Sequence, residues 1–375
     1  MRSFRLLAAG ASALALFVSA CQTGGAPSPT TAPAAAPTAA PAKPTTAASP
    51  AASPAVAASP AASPAASPAA AASPKPAASP AASPAAVASP SAAASPVAGG
   101  PKPQVKVASF NFDESEVLME LYSQVLETNG YTIERHPRLG TREIVEPALE
   151  SGQIDLVPEY LATLEAFLAK DQSKASSDPA ATQKALQDLL TPKNITVLDF
   201  AQAIDTNGFV VTKATAGKFN NLSKMSDLQP VASQLVLGGP PECPQRPFCL
   251  PGLMRVYDLQ FKDFKPLDAG GPLTVAALDS GDIDVGLLFT TDPNITLKDY
   301  TLLEDDKHLQ LADNVAPVIR NDILTRGADA RNLLNGVTSK LTTADLTDMN
   351  KQVGIDHKDA KDVAKAYLQS KQLIR

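Results

Sequence analysis

The side chains able to do chemistry are few in this 375-residue chain, and their spacing argues against an enzyme. Its 3 histidines, His136, His308 and His357, are scattered, without the i, i+4 pairing that sets two metal ligands on one helix face. No nucleophile elbow or phosphate-cradling glycine loop occurs, and Asp305-Asp306-Lys307 reads as a turn rather than a pair of catalytic acids. Neither catalysis nor a resident metal or cofactor is expected. The 3 cysteines say more. Cys243 and Cys249 lie in a Pro-rich stretch, and outside the cell an even pair should be oxidised. Their disulfide would contribute about 2 kcal/mol of chain entropy. A metal site is the weaker alternative, because no further ligands stand nearby.

Cys21 belongs to a different device. Arg2 and Arg5 precede an apolar run from Leu6 to Val18, the layout of a signal peptide over residues 1–20 and too short to span a bilayer. Val18-Ser19-Ala20-Cys21 resembles the lipobox of bacterial lipoproteins, which implies cleavage before Cys21 and a lipid on its sulfur; an ordinary signal ending in a stray cysteine is the alternative. Several acyl chains would anchor the protein stably to the outer face of a membrane. Residues 21–103 are dominated by Ala, Ser, Pro and Thr, with Ala-Ala-Ser-Pro repeated. Such a composition buries too little apolar surface to fold, so a disordered tether is expected. The net charge of −6 and the lack of a basic run give no sign of nucleic-acid binding.

The elements that must position a site begin at about residue 104. Val105 to Phe110 alternates like a strand. Glu114 to Thr128 then places Val117, Leu118, Leu121, Tyr122, Val125 and Leu126 at helical spacing. Asn129-Gly130 ends that helix, and strand and helix keep alternating, which predicts α/β architecture. Ala148-Leu149-Glu150-Ser151-Gly152-Gln153-Ile154-Asp155-Leu156 returns as Ala277-Leu278-Asp279-Ser280-Gly281-Asp282-Ile283-Asp284-Val285. Each copy reads as a helix end, a glycine turn and a buried strand, so two similarly built lobes are expected. In register, Tyr160 falls opposite Phe289. Strand carboxyl ends line ligand clefts in open α/β sheets, so these two rings face a shared cleft or else belong to the two cores.

Ser109-Phe110-Asn111-Phe112, Leu139-Gly140-Thr141-Arg142-Glu143, Pro158-Glu159-Tyr160, Thr290-Thr291-Asp292 and Ala316-Pro317-Val318-Ile319-Arg320 occur in an order that resembles the substrate-binding proteins of osmoprotectant ABC importers. The resemblance runs from about Val105 to the C-terminus. It implies a type II periplasmic-binding-protein fold: lobe 1 from 104–206 and 312–375, lobe 2 from 207–311, and two hinge crossings. It also implies a monomeric receptor that closes on a small quaternary amine, choline or glycine betaine, and docks on an ABC permease. Aromatic faces suit such a cation because it carries no N–H donor, each contributing about 0.5–2 kcal/mol.

The site residues implied by that resemblance transfer in part. Tyr160 matches a cage tyrosine, Phe209 and Phe289 stand where relatives carry tyrosine, and Asp313 replaces a fourth. Phe110 replaces a lysine that helps hold a carboxylate, and Asn111 follows it. Thr163 and Arg246 are expected to contact a carboxylate or hydroxyl, although Arg246 could simply pair with Glu242. Asp313 either faces the ligand or sits in an exposed polar turn. Losing a cation at 110 and gaining an anion at 313 favours choline over a carboxylated betaine. Another small solute, an amino acid or polyamine, is the alternative.

Overall fold

The computed structural model describes residues 102–170 and 173–375. The signal peptide, Cys21 and almost all of the tether lie outside the described residues. The chain opens with β1 (Gln104–Phe110), α1 (Asp113–Thr128), β2 (Thr132–Gly140), α2 (Arg142–Glu150), β3 (Leu156–Tyr160), α3 (Leu161–Ala169), α4 (Pro179–Leu190) and β4 (Ile195–Val197). It continues through β5 (Asn207–Val211), α5 (Lys213–Lys218), β6 (Val236–Gly239), α6 (Leu250–Tyr257), β7 (Asp263–Pro266), α7 (Pro272–Ser280), β8 (Val285–Phe289), α8 (Asn294–Leu297) and β9 (Thr301–Leu302). It closes with β10 (Val315–Arg320), α9 (Asn321–Arg326), α10 (Ala330–Thr338), α11 (Thr343–Gly354) and α12 (Ala360–Ser370).

Two mixed sheets result, ordered β2-β1-β3-β10-β4 in lobe 1 and β7-β6-β8-β5-β9 in lobe 2. In each, the strand ending in a candidate ring lies between a parallel and an antiparallel neighbour: β3 between β1 and β10, β8 between β6 and β5. Pro137 is tolerated because β2 is an edge strand that need not donate outward. Three acidic residues open α1, Asp113, Glu114 and Glu116, where the helix dipole favours negative charge. Its buried face packs against α10, α11 and α12.

The repeated segment performs the same task twice. Gly152 and Gly281 both take φ +76°, the left-handed turn that needs no Cβ. Asp155 then accepts from the Lys106 amide at 2.9 Å, as Asp284 does from the Val236 amide at 2.9 Å. Each aspartate thereby fixes the glycine turn to the strand parallel to the one that follows it, β1 for β3 and β6 for β8, which helps set their register.

Two crossings join the lobes side by side. Ile204 bridges Asn314 in antiparallel fashion, with the Asp205 amide 3.2 Å from the Asp313 carbonyl. Apolar clusters cover both faces of each sheet, and Ala162 and Ala166 of α3 join the lobe 2 core around Phe209, Leu237 and Tyr257. The lobes are therefore in direct apolar contact. Cys243 and Cys249 are disulfide-bonded, with Cα atoms 5.2 Å apart. No helix among the described residues is long and apolar enough to cross a membrane.

Candidate ligand-binding site

The ends of β1 and β3, the first turns of α3, the two crossings, the stapled loop and the end of β8 enclose a cavity of about 110 Å³. Seven of the eight expected ligand-binding residues line it: Phe110, Asn111, Tyr160, Thr163, Arg246, Phe289 and Asp313. A wider recess of about 780 Å³ shares Phe112 and Phe289 with it.

Phe112 adds a ring to the site that no sequence pattern marks. It stands just before α1, with its centroid 5.1 Å from that of Phe289 and 6.2 Å from that of Tyr160. Phe110 stacks on its other side at 6.0 Å. Rings from both lobes are thus continuous across the cleft. Gly270, at φ +67°, makes room for Phe289, because a Cβ there would come within 3.1 Å of the ring.

Phe209 is a correction. It is 1% exposed inside the lobe 2 core and does not line the cavity. Asn207 lines it instead. Both positions lie on one face of β5, but two residues carry the chain about 6.6 Å further into the lobe, so only the first reaches the cleft.

The charged groups arrange themselves by sign. Arg142 is buried and donates to both oxygens of Glu159, at 2.9 and 2.7 Å, while its guanidinium lies 5.0 Å from the Phe110 ring centre. Burial opposes its charge, yet the Glu159 carboxylate more than offsets this and raises its pKa. Arg246 does not pair with Glu242 as allowed from sequence. It crosses to lobe 1 and donates to Glu143 at 3.1 and 2.9 Å, with its guanidinium 5.5 Å from the Phe167 ring. Burial, then the charge of Arg142, push its pKa down. Neither guanidinium's Nη1 has a hydrogen-bond partner among the described residues.

Asp313 is 4% exposed, which removes the exposed-turn alternative. It accepts from the Thr163 amide at 2.8 Å and from the Thr163 hydroxyl. Burial pushes its carboxyl up to about 6, against the lowering effect of those bonds and of Arg142. Asp205, from the first crossing, also lines the cavity, and burial followed by the charge of Glu114 raises it well above the usual carboxylate range. Thr163 thus serves Asp313 as donor rather than facing a ligand carboxylate. Among the described residues no group of acidic, histidine or cysteine side chains is placed to hold a metal.

Two α/β lobes, two adjacent crossings and a small mixed-polarity cavity between them define a solute-binding receptor. The chain belongs to the family described as the substrate-binding domain of the ABC-type glycine betaine transport system, whose model matches residues 103–370. It is 28% identical over 277 residues to the glycine betaine-binding protein YehZ of Escherichia coli (strain K12), covering 71% of this chain and 90% of that one. The carnitine transport binding protein OpuCC of Listeria monocytogenes is 24% identical over 279 residues, covering 72% and 88%. A crystal structure of a glycine betaine/carnitine/choline ABC transporter shares the fold, with a TM-score of 0.57 at 24% identity over 72% of this chain and 99% of that one. The chain is thus a substrate-binding component of an ABC importer, in a family that works outside the cytoplasm.

Proposed function

We propose that this receptor captures a small N-methylated cation of the choline or glycine betaine type between its lobes and hands it, on closure, to the permease of its importer. The observation that carries this reading is the ring cluster of Tyr160, Phe112 and Phe289, contributed by both lobes around one cavity. Ring faces replace the water of a cation that has no N–H to donate. The relatives named for glycine betaine and carnitine support the same ligand class.

The cation lost at position 110 has a counterpart in Arg142, which lies over the Phe110 ring and lines the cavity with Arg246. Asp313, with both oxygens engaged by Thr163, is a weaker draw for a free cation than an unengaged carboxylate. These contacts favour a ligand that carries a carboxylate as well as a quaternary nitrogen, and so reverse the preference for choline drawn from sequence. Calorimetric titration of the purified protein with glycine betaine, carnitine and choline tests this. Binding of the carboxylated compounds ahead of choline is expected; choline alone would reverse the assignment, and silence for all three would remove the quaternary-amine reading.

A second reading, a small zwitterion such as an amino acid, is favoured by polar Asn207 lining the cavity where the Phe209 ring was expected, beside Asp313. Competition with unmethylated glycine separates the two. Export through residues 1–20, lipidation of Cys21 and action as a monomer without enzymatic activity complete the proposal. Incorporation of labelled fatty acid, lost in Cys21→Ala, tests the anchor.

A further inference from the structure

Glu114 is a buried carboxylate that borders the wider recess rather than the small cavity, and it bonds a residue of each lobe. It is 3% exposed in the first turn of α1. One oxygen accepts from the Tyr160 hydroxyl at 2.6 Å. The other accepts from the Thr291 hydroxyl at 2.7 Å and from Asn350 Nδ2 at 2.7 Å. Tyr160 and Asn350 belong to lobe 1, whereas Thr291 lies two residues beyond the ring of Phe289 in lobe 2. Asp205 seats the same strand end by accepting from the Thr291 amide and the Thr290 hydroxyl, both at 3.0 Å.

Burying a carboxylate whose hydrogen-bond partners are all neutral costs stability unless every lone pair is used. Core packing alone would be served better by an apolar side chain of similar size. The donors that surround Glu114 are divided between the lobes, so they can be gathered only when the lobes meet. Meeting also brings Phe289 against Phe112 and the Tyr160 ring, the arrangement the receptor needs around a cation.

We propose that Glu114 is a positioning residue that latches closure: it fixes the Tyr160 ring in lobe 1 and makes that placement depend on docking of the Thr291 strand end from lobe 2. The ring cage is thereby completed as a consequence of closure rather than standing ready in the open receptor. The role of the rings rests on the proposed function, whereas the latch itself is a property of the lobes.

The test has a ligand-free arm and a ligand arm. In full-length protein without added ligand, Glu114→Ala is expected to raise amide hydrogen exchange across 289–293 by about tenfold or more, with β6 unchanged. Unchanged exchange at 289–293 would overturn the latch. Should Glu114→Ala fail to fold, Thr291→Val removes the lobe 2 partner and must produce the same local rise; if it does not, the latch is overturned. In the ligand arm, using whichever of glycine betaine or choline the wild type binds, Tyr160→Phe and Thr291→Val are combined. Their effects on Kd should be non-additive by about threefold or more with Glu114 present and additive in Glu114→Ala, since contacting networks couple and independent sites do not. Additivity in both backgrounds would reduce Glu114 to a structural residue. Wild-type protein that binds neither probe would strike the ligand reading alone, and the exchange arm would still decide the latch.

Discussion

Arg246 of lobe 2 donates to Glu143 of lobe 1, Nη2 to Oε2 at 2.9 Å, while lining the cavity between the lobes. The arginine sits between the two bonded cysteines, so the stapled loop serves to aim it. Arg246→Ala should weaken a carboxylated ligand about tenfold, the scale of one charge-assisted hydrogen bond, and weaken choline much less. Equal losses would mean that Arg246 acts only by holding the lobes together, and calorimetry with both ligands distinguishes the cases.

Asp313 carries a pH signature. Its carboxyl is pushed up to about 6, above the ordinary 3.8, so the folded state prefers it protonated. Alone, it stabilises the fold at low pH, and that stability is lost as pH rises through about 6. Cation binding runs the other way, because a cation gains from the ionised form. Choline affinity should therefore fall as pH drops through about 6, and Asp313→Asn should flatten the profile. A profile unchanged by the substitution would place the titration elsewhere.

Phe209 and Asn207 separate packing from recognition. Phe209→Ala should destabilise the protein by about 3–5 kcal/mol, as loss of a fully buried ring does, with ligand affinity preserved in the fraction that folds. Asn207→Ala should leave thermal stability nearly intact and change Kd. Asn207 also donates to the Phe248 carbonyl at 3.1 Å, so the substitution loosens the stapled loop as well. Thermal melts beside titrations check both.

The duplicated glycine turn revealed two lobes because a left-handed glycine and a strand-pinning aspartate leave a fixed spacing, and Tyr160 and Phe289 followed from that register. Phe209 was misplaced by two positions because alternation specifies which face a residue takes and not how deep it lies along the strand. Phe112, Arg142 and the Arg246–Glu143 pair were not legible, since they depend on how the lobes meet rather than on either lobe's own pattern.

Glu146 offers a stability test away from the ligand. It is 2% exposed on α2, its carboxyl oxygens find no partner among the described residues, and burial followed by Glu159 pushes its pKa up to about 8. The folded state therefore holds it protonated, and its stabilising share is lost as pH rises through about 8. Glu146→Gln should raise the melting temperature at pH 9 by about 2–4 °C per kcal/mol recovered and leave it nearly unchanged below pH 4.5, where the carboxyl is protonated in both states. A uniform shift at both values would assign the effect to packing.

Every strand of lobe 2 comes from one uninterrupted stretch, 207–302, while lobe 1 is assembled from segments on both sides of it. The two junctions lie against each other at Ile204 and Asn314. The half of the cavity lining that holds Phe289 and Arg246 is therefore encoded by a single contiguous segment. Replacing that segment would change one half of the lining in a single step while leaving Tyr160, Thr163 and Asp313 in place, at the cost of the partners it offers Glu143 and Glu114.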